Sequence, residues 1–82
     1  MNKLFIVAIF TCNSGVTTIE TTICNDKTEA EVKIAEEFEY AQSQTDTEDV
    51  FYGYDAIIPY WYEVGKTTDK FWSRGEIQVK TA

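Results

Sequence analysis

The chain contains no histidine. That removes the usual general base near neutral pH, the commonest metal ligand and every catalytic triad built on an imidazole. Positive charge is also scarce: Arg74 is the single arginine, and 14 acids face 7 bases. Phosphate backbones and anionic bilayers are held by clustered Lys and Arg, so neither nucleic acid nor membrane is expected as a direct partner. The glycines, Gly15, Gly53, Gly65 and Gly75, are scattered and form no phosphate-cradling loop. Two cysteines, Cys12 and Cys24, are too few for a structural zinc site. Asp46-Thr47-Glu48-Asp49 is rich in carboxylates but lacks the glycine and spacing of a calcium loop. No metal and no cofactor are implied.

Long apolar runs are missing as well. The longest, Leu4 to Phe10, falls well short of the roughly 18 residues of a membrane span. It follows Met1-Asn2-Lys3 as the apolar part of a secretory leader would, yet Thr11-Cys12-Asn13 is no small-residue cleavage site. The segment is read as a buried strand and the protein as cytoplasmic, in a host cytoplasm if phage-encoded.

What is present is periodic. The 82 residues are read as one α+β domain covering 1–82, 15% aromatic. A domain of this size buries only about 60–65% of its unfolded surface, and large aromatic rings are an efficient way to do so. Residues 3–12 predict a strand apolar on both faces. Asn13-Ser14-Gly15 predicts a hairpin loop, and residues 16–24 alternate as a threonine-rich strand. That hairpin separates Cys12 from Cys24 by roughly 23 Å, at about 3.3 Å per strand residue. A disulfide needs Cα atoms within about 7 Å, so both are expected as free thiols.

Asp26 suits an N-cap, with Glu29 three residues on in the capping-box position. Ala30, Ile34, Phe38 and Ala41 then fall on one stripe, predicting a helix from about Lys27 to Ser43. A polar loop reaches Asp49. Val50–Ile58 and Tyr60–Val64 flank Pro59, which cannot donate a ladder hydrogen bond; this reads as a bent strand, a bulge or an edge. After a loop at Gly65–Asp69, residues 70–80 read as a last strand interrupted at Gly75. The order β-β-α-β-β predicts an antiparallel sheet of about four strands with one amphipathic helix packed on one face.

No pair of carboxylates is marked for general acid–base work, and Ser14, Ser43 and Ser73 have no evident activating base. Catalysis is not expected. Two surfaces stand out instead. Residues 28–49 hold eight acids, among them Glu36, Glu37, Glu39, Asp46, Glu48 and Asp49, against Lys33 alone, which equals the net charge of −7 of the whole chain. Helix geometry spreads the five helical glutamates at roughly one per 3–4 Å. That matches one strand of a duplex at about 3.4 Å, not two. The Glu29-Lys33-Glu37 ladder is equally that of a solvated face. DNA mimicry is thus weakly supported, and a protein partner with a basic surface fits better.

The second surface is aromatic. Tyr52, Tyr54, Tyr60, Trp61, Tyr62 and Trp72 crowd the second half of the chain, and Tyr60-Trp61-Tyr62 puts rings on both faces of one strand. Tyrosine and tryptophan are enriched where binding energy concentrates. The combined expectation is a non-catalytic binding module: the aromatic face supplies affinity while the acidic helix and loop steer. In size, acidity and lack of catalytic motifs, the chain resembles the small accessory proteins that phages direct against host or defence machinery, the class of anti-restriction and anti-CRISPR proteins. The alternative expectation is an assembly module, a homodimer or small subunit joined through the aromatic face.

Overall fold

The computed structural model describes residues 3–54 and 60–81, and of Tyr54 and Tyr60 the backbone only. The elements are β1 (Lys3–Asn13), β2 (Val16–Cys24), α1 (Lys27–Ser43), β3 (Val50–Tyr54), β4 (Tyr60–Val64) and β5 (Phe71–Thr81). The strands form one sheet in the order β2-β1-β5-β4-β3, antiparallel at every junction. The expected α+β architecture is present, with one correction. There are five strands among the described residues, because residues 50–64 supply two strands that pair with each other, Tyr52 opposite Tyr62, rather than one strand bent at Pro59. Pro59 itself lies outside the described residues.

The β1–β2 hairpin turns on two residues, Ser14 at φ 52° and Gly15 at φ 87°. Positive φ at both is what a two-residue type I′ turn needs, and Gly15 meets it without a Cβ penalty. The turn fixes the register Asn13 opposite Val16 and, further along, Cys12 opposite Thr17 and Phe5 opposite Cys24. The two cysteines therefore sit far apart as free thiols.

The helix begins where the sequence places it. The Asp26 carboxylate accepts a hydrogen bond from the Thr28 amide at 2.7 Å, satisfying a backbone donor that helix geometry leaves free, which stabilises by about 1 kcal/mol. The stripe Ala30, Ile34 and Ala41 is buried, and Phe38 lies against the same core.

Residues opposite each other across a ladder share a face, so the register sorts every strand residue. One face holds Val7 and Ile9 of β1, Cys24 of β2, Tyr62 and Val64 of β4, and Phe71, Ser73 and Ile77 of β5; the helix packs on it to make the core. Gly75 sits mid-strand on this face and interrupts nothing. It pairs with both Ile9 and Tyr62, and an added Cβ would lie 2.2 Å from Tyr62 Cε2. The missing side chain makes the recess into which the Tyr62 ring fits. The Tyr62 hydroxyl then meets Ser73 Oγ at 2.8 Å, and Ser73 Oγ meets Thr11 Oγ1 at 3.2 Å. This chain of hydroxyls satisfies the polar atoms that the core buries. Burial pushes the Tyr62 phenol pKa up, an effect that the Ser73 hydrogen bond opposes.

Candidate interaction surfaces

Among the described residues no helix covers the other face of the sheet. It presents Ile19 and Ile23 from β2, Ile6, Ala8, Phe10 and Cys12 from β1, Trp72, Arg74 and Glu76 from β5, Trp61 and Glu63 from β4, and Phe51 from β3. Among these, Phe10, Trp61 and Phe51 are 37%, 38% and 56% exposed. The Trp61 indole lies flat over Gly53, directly opposite it on β3, where a Cβ would come within 2.1 Å of the ring. The absent side chain at residue 53 makes room for the Trp61 ring against the sheet.

A concavity of about 290 Å³ opens on this face, lined by Phe10, Trp61, Glu63, Arg74 and Glu76, with Tyr62 and Gly75 contributing. Arg74 anchors it. Its guanidinium stands 5.2 Å from the Trp72 ring centroid, Nε is 3.9 Å from the Glu63 carboxylate, and Nη1 donates to the carbonyls of Ser73 and Val64. Such a stacked, multiply bonded arginine is a fixed charge rather than a mobile one. Gln78 donates to the Glu76 carboxylate at 2.9 Å. The face is thus apolar, with a small, organised polar centre carrying both signs.

The acids lie elsewhere. Glu36 and Glu39 are exposed on the helix, while Glu37 shares Lys33 with Glu20, at 3.1 and 3.4 Å. Asp46 and Glu48 are exposed in the loop, and Asp49 approaches Lys66 at 3.8 Å. The helical acids are on the helix side, so the acidic and aromatic surfaces are not two halves of one patch. The molecule measures 42 × 22 × 17 Å, and the shortest dimension is about two Debye lengths at physiological salt, each near 8 Å. Charge on one side is largely screened from a partner approaching the other.

The register also divides the aromatic set. Trp61 and Trp72 belong to the open face. Tyr52 belongs to the helix face at the β3 edge, half-exposed, with its ring centroid 4.7 Å from that of Phe38. Tyr62, grouped with the exposed aromatics on sequence, is 1% exposed and belongs to the core, because Gly75 admits its ring beneath the helix. The side chains of Tyr54 and Tyr60 lie outside the described residues. Sequence reasoning did not assign Phe10, Ile19 and Ile23 to the open face; the alternation in β2, which puts Ile19 and Ile23 on one side, was the available signal for those two, and β1, apolar on both faces, offered none for Phe10.

Among the described residues no group of acids and cysteines is placed to hold a metal, and no helix is long and apolar enough to cross a membrane. Comparison with family models, with curated proteins and with solved structures found no match. Any functional reading therefore rests on the surfaces themselves.

Proposed function

We propose that this chain is a non-catalytic protein-binding module that acts by occupying a partner, with the open sheet face as its docking surface. One observation carries the reading. The helix buries Val7, Ile34, Tyr62, Val64 and Ile77 on one side of the sheet, whereas the opposite side, which no helix among the described residues covers, leaves Phe10, Phe51 and Trp61 in solvent around the Arg74 centre. Contiguous exposed apolar surface rimmed by polar groups marks interaction sites on soluble domains. Aromatic and arginine anchors are the residue types that carry affinity there. The biological setting proposed is that of a small phage-type inhibitor of host or defence machinery. The acidic helix and loop are proposed as a separate surface, attractive to a basic region of the same or a second partner.

The test is capture of a partner by the immobilised chain at low and high salt. The Phe51→Ser/Trp61→Ser variant should lose capture while keeping its fold by circular dichroism. Reversal of the exposed acids, Glu36→Lys with Glu39→Lys, should reduce capture mainly at low salt. Retention of capture by the aromatic variant would overturn the docking role of the open face.

A second reading has its own support. Arg74 and Lys80 balance Glu63 and Glu76 on the open face, so it is neutral although the chain carries −7. Two copies meeting face to face would bring together broad surfaces that do not repel each other.

A further inference from the structure

The sheet ends in two unlike edges. β3 is five residues long, and short edges are one of the ways proteins prevent unwanted pairing. β2 is nine residues, Val-Thr-Thr-Ile-Glu-Thr-Thr-Ile-Cys, and all but Thr22 and Cys24 are exposed. It is paired residue by residue to β1 without a bulge from Val16 to Cys24, and it contains no proline and no lysine. Its one charge, Glu20, is on the helix face and already paired with Lys33. Apart from that paired charge, the strand has none of the devices that blunt an edge: it is long, unbulged and free of proline and lysine.

The turn determines which backbone groups that edge offers. In a two-residue hairpin the residues flanking the turn, here Asn13 and Val16, exchange both hydrogen bonds. Alternate residues of β2 therefore aim their N–H and C=O away from β1: Thr17, Ile19, Thr21 and Ile23. The side chains of these same residues lie on the open face. Ile19 and Ile23 are 66% and 64% exposed, among the most exposed apolar side chains in the described chain.

We propose that β2 is a self-interface, and that a second copy of this chain pairs with it antiparallel about a twofold axis at Thr21. The strand is self-complementary in that register. Thr21 falls opposite Thr21, and Ile19 opposite Ile23 twice over. The helix-face pairs are Glu20 with Thr22 and Thr18 with Cys24. Moving the twofold by half a step to Glu20 sets Glu20 against its own copy, and moving it to Ile19 leaves both Ile23 side chains without an apolar partner. The Thr21 register alone joins all four isoleucines across the axis and adds about six backbone hydrogen bonds. A foreign strand would satisfy the backbone equally, but the palindromic placement of Ile, Thr and Ile is matched by this chain itself. The two sheets become one of ten strands, with both helices on one side and both open faces continuous on the other. A partner would then meet two docking faces related by the twofold. This self-interface is separable from the docking role proposed above, since it uses the β2 edge with Ile19 and Ile23, whereas that role rests on Phe10, Phe51 and Trp61 around Arg74.

The experiment is light scattering coupled to size exclusion on the full chain, up to about 1 mM, at about 50 and about 500 mM salt. The apparent mass is expected to double with concentration. Dimerisation should strengthen with salt, because each copy brings −7, the opposite of the trend for capture of a basic partner. Ile19→Lys and Thr21→Pro should each give a monomer. The Thr21 N–H points away from β1, so proline there removes a bond to the second copy and none within the chain. Should Thr21→Pro fail to fold, Ile19→Lys carries the test. The Phe51→Ser/Trp61→Ser variant should remain dimeric; a face-to-face dimer would show the reverse pattern. On a Cys12→Ser background, Thr21→Cys should oxidise to a covalent dimer and Thr17→Cys should not, since only residue 21 faces itself, with Cα atoms near 5.5 Å. A strict monomer at both salts, a dimer unaffected by Ile19→Lys, or cross-linking through residue 17 alone would each overturn the proposal.

Discussion

The two faces of this sheet are made from the same residues in alternation, yet they obey different rules. On the helix side the large side chains of the core are fixed by one another: Tyr62 in the recess at Gly75, Ile34 in one cluster with Val7, Ile77 and Val64, and Phe38 between Tyr52 and Tyr62. On the open side equally large groups rest on the sheet with water above them. The difference teaches that aromatic content alone says nothing about role. Tyr60-Trp61-Tyr62 is one aromatic run in sequence, but Trp61 and Tyr62 belong to different environments.

The largest contrast should come from truncating one isoleucine on each face. Ile34→Ala opens a cavity in the core and is expected to cost about 3 kcal/mol, whereas Ile23→Ala should change the stability of the monomer, at concentrations too low for self-association, by less than about 0.5 kcal/mol. Urea denaturation of both variants measures this directly. If the two costs were equal, the open face would be covered in solution.

The glycines offer a sharper comparison, since the steric collision is nearly the same on both faces. Gly75→Ala drives a methyl into the Tyr62 ring, which is enclosed on all sides, and should cost about 2–3 kcal/mol. Gly53→Ala drives one into the Trp61 indole, which is free to lift into solvent, and should cost less than about 1 kcal/mol while weakening partner capture. Next in size, Tyr62→Phe removes the bond to Ser73 but leaves Ser73 in contact with Thr11, so a loss of about 1 kcal/mol is expected in the same assay.

The smallest effect concerns alkaline pH. Burial raises the pKa of Tyr62 above its ordinary 10.0, and burial together with the neighbouring Glu29 carboxylate raises that of Cys24 above 9.0. Both groups are neutral in the fold and ionise more readily once unfolded. Their contribution is therefore fully present below the unfolded values and is lost as pH rises through the folded ones. Lys33, raised by its bond to Glu37, acts in the same direction. The urea midpoint should hold steady to about pH 9 and decline above it. Cys24→Ala should move the onset of that decline toward pH 10. A midpoint that stayed flat to pH 11 would mean these groups ionise inside the fold without penalty.

Much of the local structure was legible because local signals determine it. The Ala30, Ile34, Phe38 and Ala41 spacing and the Asp26 cap located the helix, and Asn13-Ser14-Gly15 located the first hairpin and with it the separation of the thiols. What was not legible is long-range. Nothing local says that β5 inserts between β1 and β4, and that pairing decides which side of each strand the helix covers. Without it Tyr62 could not be separated from Trp61, nor Phe10 assigned to the open face. Gly75 read as a break for the same reason: its purpose is a ring that arrives from another strand. Pro59 drew attention to a bend and obscured that the residues around it supply two strands.

Both tryptophans of the chain, Trp61 and Trp72, lie on the open face, and the core relies on tyrosine and phenylalanine instead. Their emission consequently reports on what covers that face more than on whether the core is intact. A ligand seated over Trp61 would shift the spectrum toward the blue with no label attached. Loss of core packing, by contrast, would be followed better through near-ultraviolet tyrosine dichroism. The arrangement gives one molecule two separable optical channels, one for occupancy and one for folding.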